Sequence, residues 1–391
     1  MSDMHLPQDV AQVVQAMHQT PRRMVLQFAG AGSQGLAWLH ALPGSSSTII
    51  EASDRYATAS LVDALGYTPA KFTSLEVAID LAKGSLARAQ LLEPTTSVSS
   101  VSSFGVGLTA TIATGRQKRG EHRLALATWD SLGSLHVTLQ LAKGNRDRHE
   151  EEALVSRVLL HALALAAGVR VPVDNLLADI TAADHITQTF VPHEHWHAFA
   201  ENTIPLVHIA DGIATPAQQL ERQLLLSGSF HPLHEGHLEL AAAASQHTGL
   251  TACFELPLAN ADKATIDLAS AYGRLQQFAG VAPVVLSHAP LFTDKAHLYP
   301  NSTFVVGADT AARLVDPRFY GDDAEQMKDA LEQLRHAGCR VLVAGRLDPT
   351  SQRFLELSDI DIPAGLGALF EKLEFRRDIS STALRHDTQV T

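Results

Sequence analysis

The run Leu224-Leu-Leu-Ser-Gly-Ser-Phe-His-Pro-Leu-His-Glu-Gly-His237 constrains this chain more than any other segment. Uninterrupted apolar residues read as a strand buried on both faces, which is the habit of parallel sheets. A glycine-bearing turn and a helix from about Gly236 follow it at once. Strand, turn and helix in that order form half of a crossover unit, so a layered α/β fold is predicted. Further strands are expected at Ala252 to Leu256, Pro283 to Leu286, Thr303 to Val306 and Arg340 to Ala344, separated by helix-period segments.

The N-terminal half alternates in the same way. MVLQFAG from Met24 and STIIEAS from Ser47 read as strands, with a helix between them through Trp38. Strands are expected at Thr96 to Ser102 and His122 to Thr128, and a long closing helix at Glu150 to Ala167. With 391 residues, one core would be overextended and two domains are expected. The first spans 1–175. A connector at 176–220, punctuated by Pro192, Pro205 and Pro216, wraps on a domain surface, and the second domain spans 221–391.

A formal net charge of −12 repels polyanions, so a phosphate site must be a local basic pocket, and nucleic acid is not expected as a partner. The two cysteines, Cys253 and Cys339, lack CxxC spacing and suggest neither a disulfide framework nor a zinc site. Met1 to Gln19 has no signal-peptide pattern, and the greasy stretch from Ala153 to Val173 is broken by Arg157, His161 and Arg170. A cytoplasmic protein with no membrane partner is expected. His193-Glu-His-Trp-His197 would place alternating imidazoles on one side of an extended strand, but a polar surface strand is the plainer reading than a metal site.

At the motif turn, Gly228 lacks the Cβ that would keep a phosphate from the backbone, and the following helix start favours an anion. His234 and His237 are three residues apart and can face one side. Gly228-Ser-Phe-His-Pro-Leu-His-Glu-Gly-His237 resembles the GxFxPxHxGH signature of the nucleotidylyltransferase superfamily. Ile379-Ser-Ser-Thr-Ala-Leu-Arg385 resembles its ISSTxxR element, and Gly307-Ala-Asp309 its GxD strand end. The resemblance implies a Rossmann-like doubly wound parallel sheet in the second domain. It also implies catalytic roles for His237, His234 and Arg385, and nucleotide contacts from Gly228, Ser229, Phe230, Gly236, Gly307, Asp309, Ser380, Ser381 and Thr382.

The same resemblance implies the chemistry. A phosphate oxygen of an acceptor attacks the α-phosphorus of ATP in line, pyrophosphate leaves, and Mg²⁺ bridges the phosphates. Lys263 and Arg274 are the basic residues expected to meet the acceptor, whereas Lys295 reads first as a solvated surface lysine. The ISSTALR and GADT elements lean towards a mononucleotide acceptor such as nicotinamide or nicotinate mononucleotide. The alternatives are a CTP-dependent cytidylyltransferase and a non-catalytic nucleotide sensor.

Residues 24–168 resemble, more weakly, the CinA C-terminal domain, whose active members deamidate nicotinamide mononucleotide. The likeness lies in Gly35-Leu36, Leu42-Pro-Gly-Ser45, Tyr56, Leu65-Gly66 and Gly107 to Thr111. Gly30-Ala-Gly-Ser-Gln-Gly35 carries Ala31 where an ESCTGG-like turn has its serine, and Leu61 replaces the lysine expected five residues after Tyr56. Amide hydrolysis is therefore not expected. The domain is left to bind a nucleotide without turnover or to pack a homo-oligomer.

Overall fold

The apolar runs of the sequence become the inner strands of two sheets. A computed structural model describes residues 6–93, 103–115, 120–259, 265–347 and 353–375. The chain divides into two compact units, the first comprising Met1–His197, Asp211–Ile213 and Leu268–Val281, the second Ala198–Ala210, Ala214–Asp267 and Ala282–Thr391.

The first unit begins with α1 (Gln8–His18), β1 (Arg23–Ala29), α2 (Ser33–Ala41), β2 (Ile49–Asp54), α3 (Thr58–Leu65) and α4 (Leu75–Leu92). It continues with β3 (Ser103–Thr111), β4 (His122–Trp129), β5 (Gly133–Leu141), α5 (Arg148–Ala167) and β6 (His185–Pro192), after which the short helix α6 (His197–Ala200) passes into the residues of the second unit. The sheet order is β2-β1-β3-β4-β5-β6. β1 runs parallel to β2 and β3, and the strands from β3 to β6 are antiparallel. Gly105 and Gly107 let α4 lie on β3, because a Cβ at these positions would sit 2.0 Å from Ala82 O and 2.1 Å from Ala78 O. The long helix α5 starts at an Asp147–Glu150 capping box and ends at Gly168 in the left-handed region, burying apolar residues around most of its circumference.

The second unit holds β7 (Leu206–Ala210), β8 (Ile213–Ala217), β9 (Leu224–Ser227), α7 (Glu235–Thr248) and β10 (Ala252–Pro257). After α8 (Leu268–Gln276) come β11 (Val284–Ser287), α9 (Phe292–Leu298), β12 (Thr303–Gly307), α10 (Ala308–Leu314), α11 (Ala324–His336) and β13 (Arg340–Ala344). A small ladder of β14 (Arg346–Leu347) with β15 (Phe354–Leu355), and then β16 (Phe370–Leu373), complete it. The main sheet has the order β16-β13-β12-β9-β10-β11-β7-β8. From β16 to β11 its neighbours are parallel, and β7 runs antiparallel to β11. The chain steps from β9 to β10 and β11 on one side, then returns to β12 on the other. The ends of β9 and β12 thus flank the reversal of strand order, where open α/β sheets bind ligands.

Three expectations change. The segment 176–220, expected as a surface connector, carries strands: β6 forms an edge of the first sheet, and β7 and β8 extend the second. His193 to His197 is not an extended strand. It winds through a 3₁₀ turn at Glu194–Trp196, with Trp196 buried and its Nε1 donating to Leu132 O at 2.8 Å. Helix α8 lies in sequence between strands of the second sheet yet belongs to the first unit. There Tyr272 OH and Gln276 Nε2 donate to buried Asp130 Oδ2 at 2.7 and 2.8 Å, beside Arg22 Nη2 at 2.7 Å. The strand expected at Thr96 to Ser102 falls outside the described residues. Among the described residues no helix is long and apolar enough to cross a membrane.

Candidate active site

β9 sits between β10 and β12, with Ser227 opposite Glu255 and Leu226 opposite Val305. Gly228 starts the turn, its N–H donating to Glu255 O at 3.0 Å. A Cβ at Gly228 would meet the ring of the buried Phe230 at 2.8 Å, so the packing of the turn itself calls for glycine. Phe230 adopts a positive φ of 43° and is buried, with its ring edge-on to His237 and to Phe254 at 5.1 and 5.3 Å. The turn is therefore anchored on an aromatic plug.

His234 caps α7, and the first turn of that helix contains Gly236 and His237. The His234 N–H donates to His237 Nδ1 at 3.3 Å, which leaves the neutral ring of His237 with its proton on Nε2. Burial, then the neighbouring His234 and Arg346, pull the His237 pKa down to about 3. His237 is therefore a neutral imidazole near pH 7 with an Nε2–H to offer, not a fixed cation.

Across the reversal of strand order, Gly307 ends β12 and Asp309 lies in the first turn of α10. Both carboxylate oxygens of Asp309 lie 3.4 Å from Arg346 Nη1. Arg346 follows the strand end Ala344-Gly345, is exposed, and acts electrostatically on His237. It was not singled out in the sequence, although a basic residue just past a buried parallel strand is the signal that marks it. The His237 imidazole and the exposed Arg346 guanidinium thus lie within each other's field at the ends of these strands, and both are groups suited to phosphate.

Residues 225–387 match the family described as cytidylyltransferase-like. The second unit carries a cytidylyltransferase-like nucleotidyltransferase domain. The match extends through Ser380, Ser381, Thr382 and Arg385, which lie outside the described residues, as does Lys263. Comparison with curated proteins gives no match. Solved structures similar to the N-terminal part include the competence/damage inducible protein CihA from Agrobacterium tumefaciens, with 20% identity over 43% of this chain and 95% of that one, at a TM-score of 0.29. A competence-damaged protein (CinA) superfamily protein from Escherichia coli has 15% identity, 42% and 92% coverage and a TM-score of 0.31. A competence or damage-inducible protein from Enterobacter asburiae gives 11%, 44% and 98%, and 0.31.

Arg274 lies on α8, which clusters with the first unit, and falls within the matched residues 225–387. Lys295, read from the sequence as a surface residue, is only 3% exposed and is paired with Glu255.

In the first unit the glycine-rich turn is already filled. Glu152 Oε1 accepts from Gly32 N at 2.9 Å, Ser33 Oγ at 3.1 Å and Gln34 N at 3.1 Å. Burial and this same carboxylate hold Asp54 above the ordinary carboxylate range. Leu61, at the position of the expected lysine, is buried with Ala29, Val77 and Leu81, and Ala31 is buried as well. An internal carboxylate thus takes three donors of this turn.

Proposed function

We propose that the nucleotidyltransferase domain transfers AMP from ATP to a phosphorylated acceptor with release of pyrophosphate, and that the acceptor is a mononucleotide of the pyridine class. The observation that carries this reading is the stacked His234–His237 pair at the start of α7, beside the strand-order reversal and within the field of Arg346. As the acceptor phosphate attacks, negative charge grows on the α-phosphoryl oxygens. The Nε2–H of His237 meets that charge, and fixed donors cost no reorganisation as the transition state forms. Arg346 takes the remaining phosphates, which Gly228 and Ser229 let approach the turn, with Arg385, Ser380, Ser381 and Thr382 completing the grip. Lys263, between β10 and α8, is the basic residue proposed for the acceptor phosphate.

Mg²⁺ would arrive on the triphosphate oxygens and neutralise charge there. The carboxylate of Asp309 has the oxygen-donor chemistry that this ion prefers. The filled glycine turn of the first unit lends no support to amide hydrolysis, so the chemistry is assigned to the second unit alone.

The test incubates the full chain and Mg²⁺ with ATP or CTP and a panel of phosphorylated acceptors that includes nicotinamide and nicotinate mononucleotide, while pyrophosphate is recorded. Release with ATP and a pyridine mononucleotide supports the proposal. Release only with CTP moves the donor assignment. Silence across the panel, with ATP still bound, favours the sensor alternative.

A further inference from the structure

A buried ion pair lies directly behind the turn. Glu255 on β10 is fully buried, and Lys295 on α9 nearly so. Glu255 Oε2 accepts from Lys295 Nζ at 2.5 Å and from the Ser227 hydroxyl, while Oε1 accepts from Ser287 Oγ at 2.7 Å and Tyr299 OH at 3.3 Å. Lys295 Nζ also donates to Ser227 Oγ at 3.1 Å. Ser227 is the last residue of β9, and the next residue, Gly228, hydrogen-bonds to the main-chain oxygen of Glu255. The entry to the motif is therefore clamped twice by one residue, through its side chain and through its backbone.

Two buried charges are an expensive way to hold a sheet together, since apolar residues of the same volume often do as well or better. What the pair adds is direction. The Ser227 hydroxyl can donate to only one acceptor and here receives a cation, so its rotamer and the departure of the chain into Gly228 are both fixed. We infer that Lys295 and Glu255 are positioning residues for the nucleotide turn, acting through Ser227 and contacting no substrate. This rests on the reading of that turn as the triphosphate site. The ammonium of Lys295 is spent on Glu255 and Ser227, so its effect must reach the nucleotide through the backbone of Gly228 and the residues after it. The donor nucleotide should feel the pair and the acceptor should not.

The experiment compares Ser227→Ala, Lys295→Met and the double variant Lys295→Met with Glu255→Gln in the full chain. It measures kcat, KM for ATP and KM for the acceptor separately, with urea unfolding alongside. The expected result is a KM for ATP raised about tenfold in Lys295→Met and Ser227→Ala, with the acceptor KM nearly unchanged, and recovery of most of that loss in the double variant. The inference is overturned if both KM values move together, if neither moves in a folded variant, or if the double variant is worse than the single one. Should Lys295→Met not fold, Ser227→Ala, which keeps the ion pair, decides the matter by the same ATP-to-acceptor split. If the wild-type chain releases no pyrophosphate with any acceptor, the functional reading fails and calorimetric ATP binding replaces KM. Weaker binding in Ser227→Ala then supports the inference, and unchanged or absent binding overturns it.

Discussion

The rings of His234 and His237 stack with centroids 3.7 Å apart and planes 20° from parallel. Two imidazoles this close cannot both carry a proton cheaply, so one of them is kept neutral by the other as well as by burial. His237→Ala should lower kcat on the order of 10² to 10³-fold, the usual loss when one donor to a developing oxyanion is removed. His237→Asn keeps an acceptor for the His234 N–H and separates loss of chemistry from loss of the helix start. Steady-state rates with circular dichroism for both variants provide the check. An unchanged kcat would remove His237 from the mechanism.

Acid stability should carry the mark of the same residue. The His237 pKa is lowered to about 3 from 6.5, so between these values the unfolded chain takes up a proton that the folded chain refuses. Its stabilising contribution is present above about pH 6.5 and is lost as pH falls towards 3, with a slope of up to about 1.4 kcal/mol per pH unit. His18, His136 and His208 are also lowered by burial and act in the same direction, so the comparison must be made between variants. Melting temperatures of wild type and His237→Gln, measured from pH 7 to pH 4, should fall less steeply for the variant.

Arg346→Ala should weaken the donor nucleotide by about 1.5–3 kcal/mol, the range for a hydrogen bond to a charged group, which is on the order of ten- to a hundredfold in KM for ATP. Because its charge also depresses His237, the same change should move the His237 titration upward. Nuclear magnetic resonance titration of that ring reads the second effect independently of activity. No movement of the ring would mean that Arg346 is directed elsewhere.

In the first unit, Glu152→Ala should lower stability by about 1–3 kcal/mol by stripping the acceptor from three donors of the glycine-rich turn. Urea unfolding gives the number. Pyrophosphate release by the second unit should be unaffected, and a parallel loss of it would contradict the assignment of chemistry to that unit alone.

The parallel strands were legible because burial on both faces writes itself as an uninterrupted apolar run, as in Leu224 to Leu226 or Val341 to Ala344. β3 was hidden by Gly105 and Gly107, which weaken a strand pattern. Their reason is a helix lying across them, and the sequence alone does not show it. The histidine cluster misled because alternation suggested an extended chain, whereas burial of Trp196 turns the segment into a 3₁₀ helix. That His234 and His237 face one side needed no tertiary knowledge, since their spacing at a helix start is local. Lys295 and Glu152 did need it. The first is 40 residues from Glu255 and the second about 120 from the turn it fills, so their roles exist only once the chain has closed on itself.

Asp130 is completed by Tyr272 and Gln276, residues that leave the ribosome only after β9 and β10 have been made. The body of the first unit is therefore synthesised with its central carboxylate short of two donors, and must wait in that state while another sheet begins to emerge. A gene divided at the boundary near residue 220 would make that wait permanent. The two halves read as separable modules in sequence, yet the first cannot be finished without a passage written inside the second.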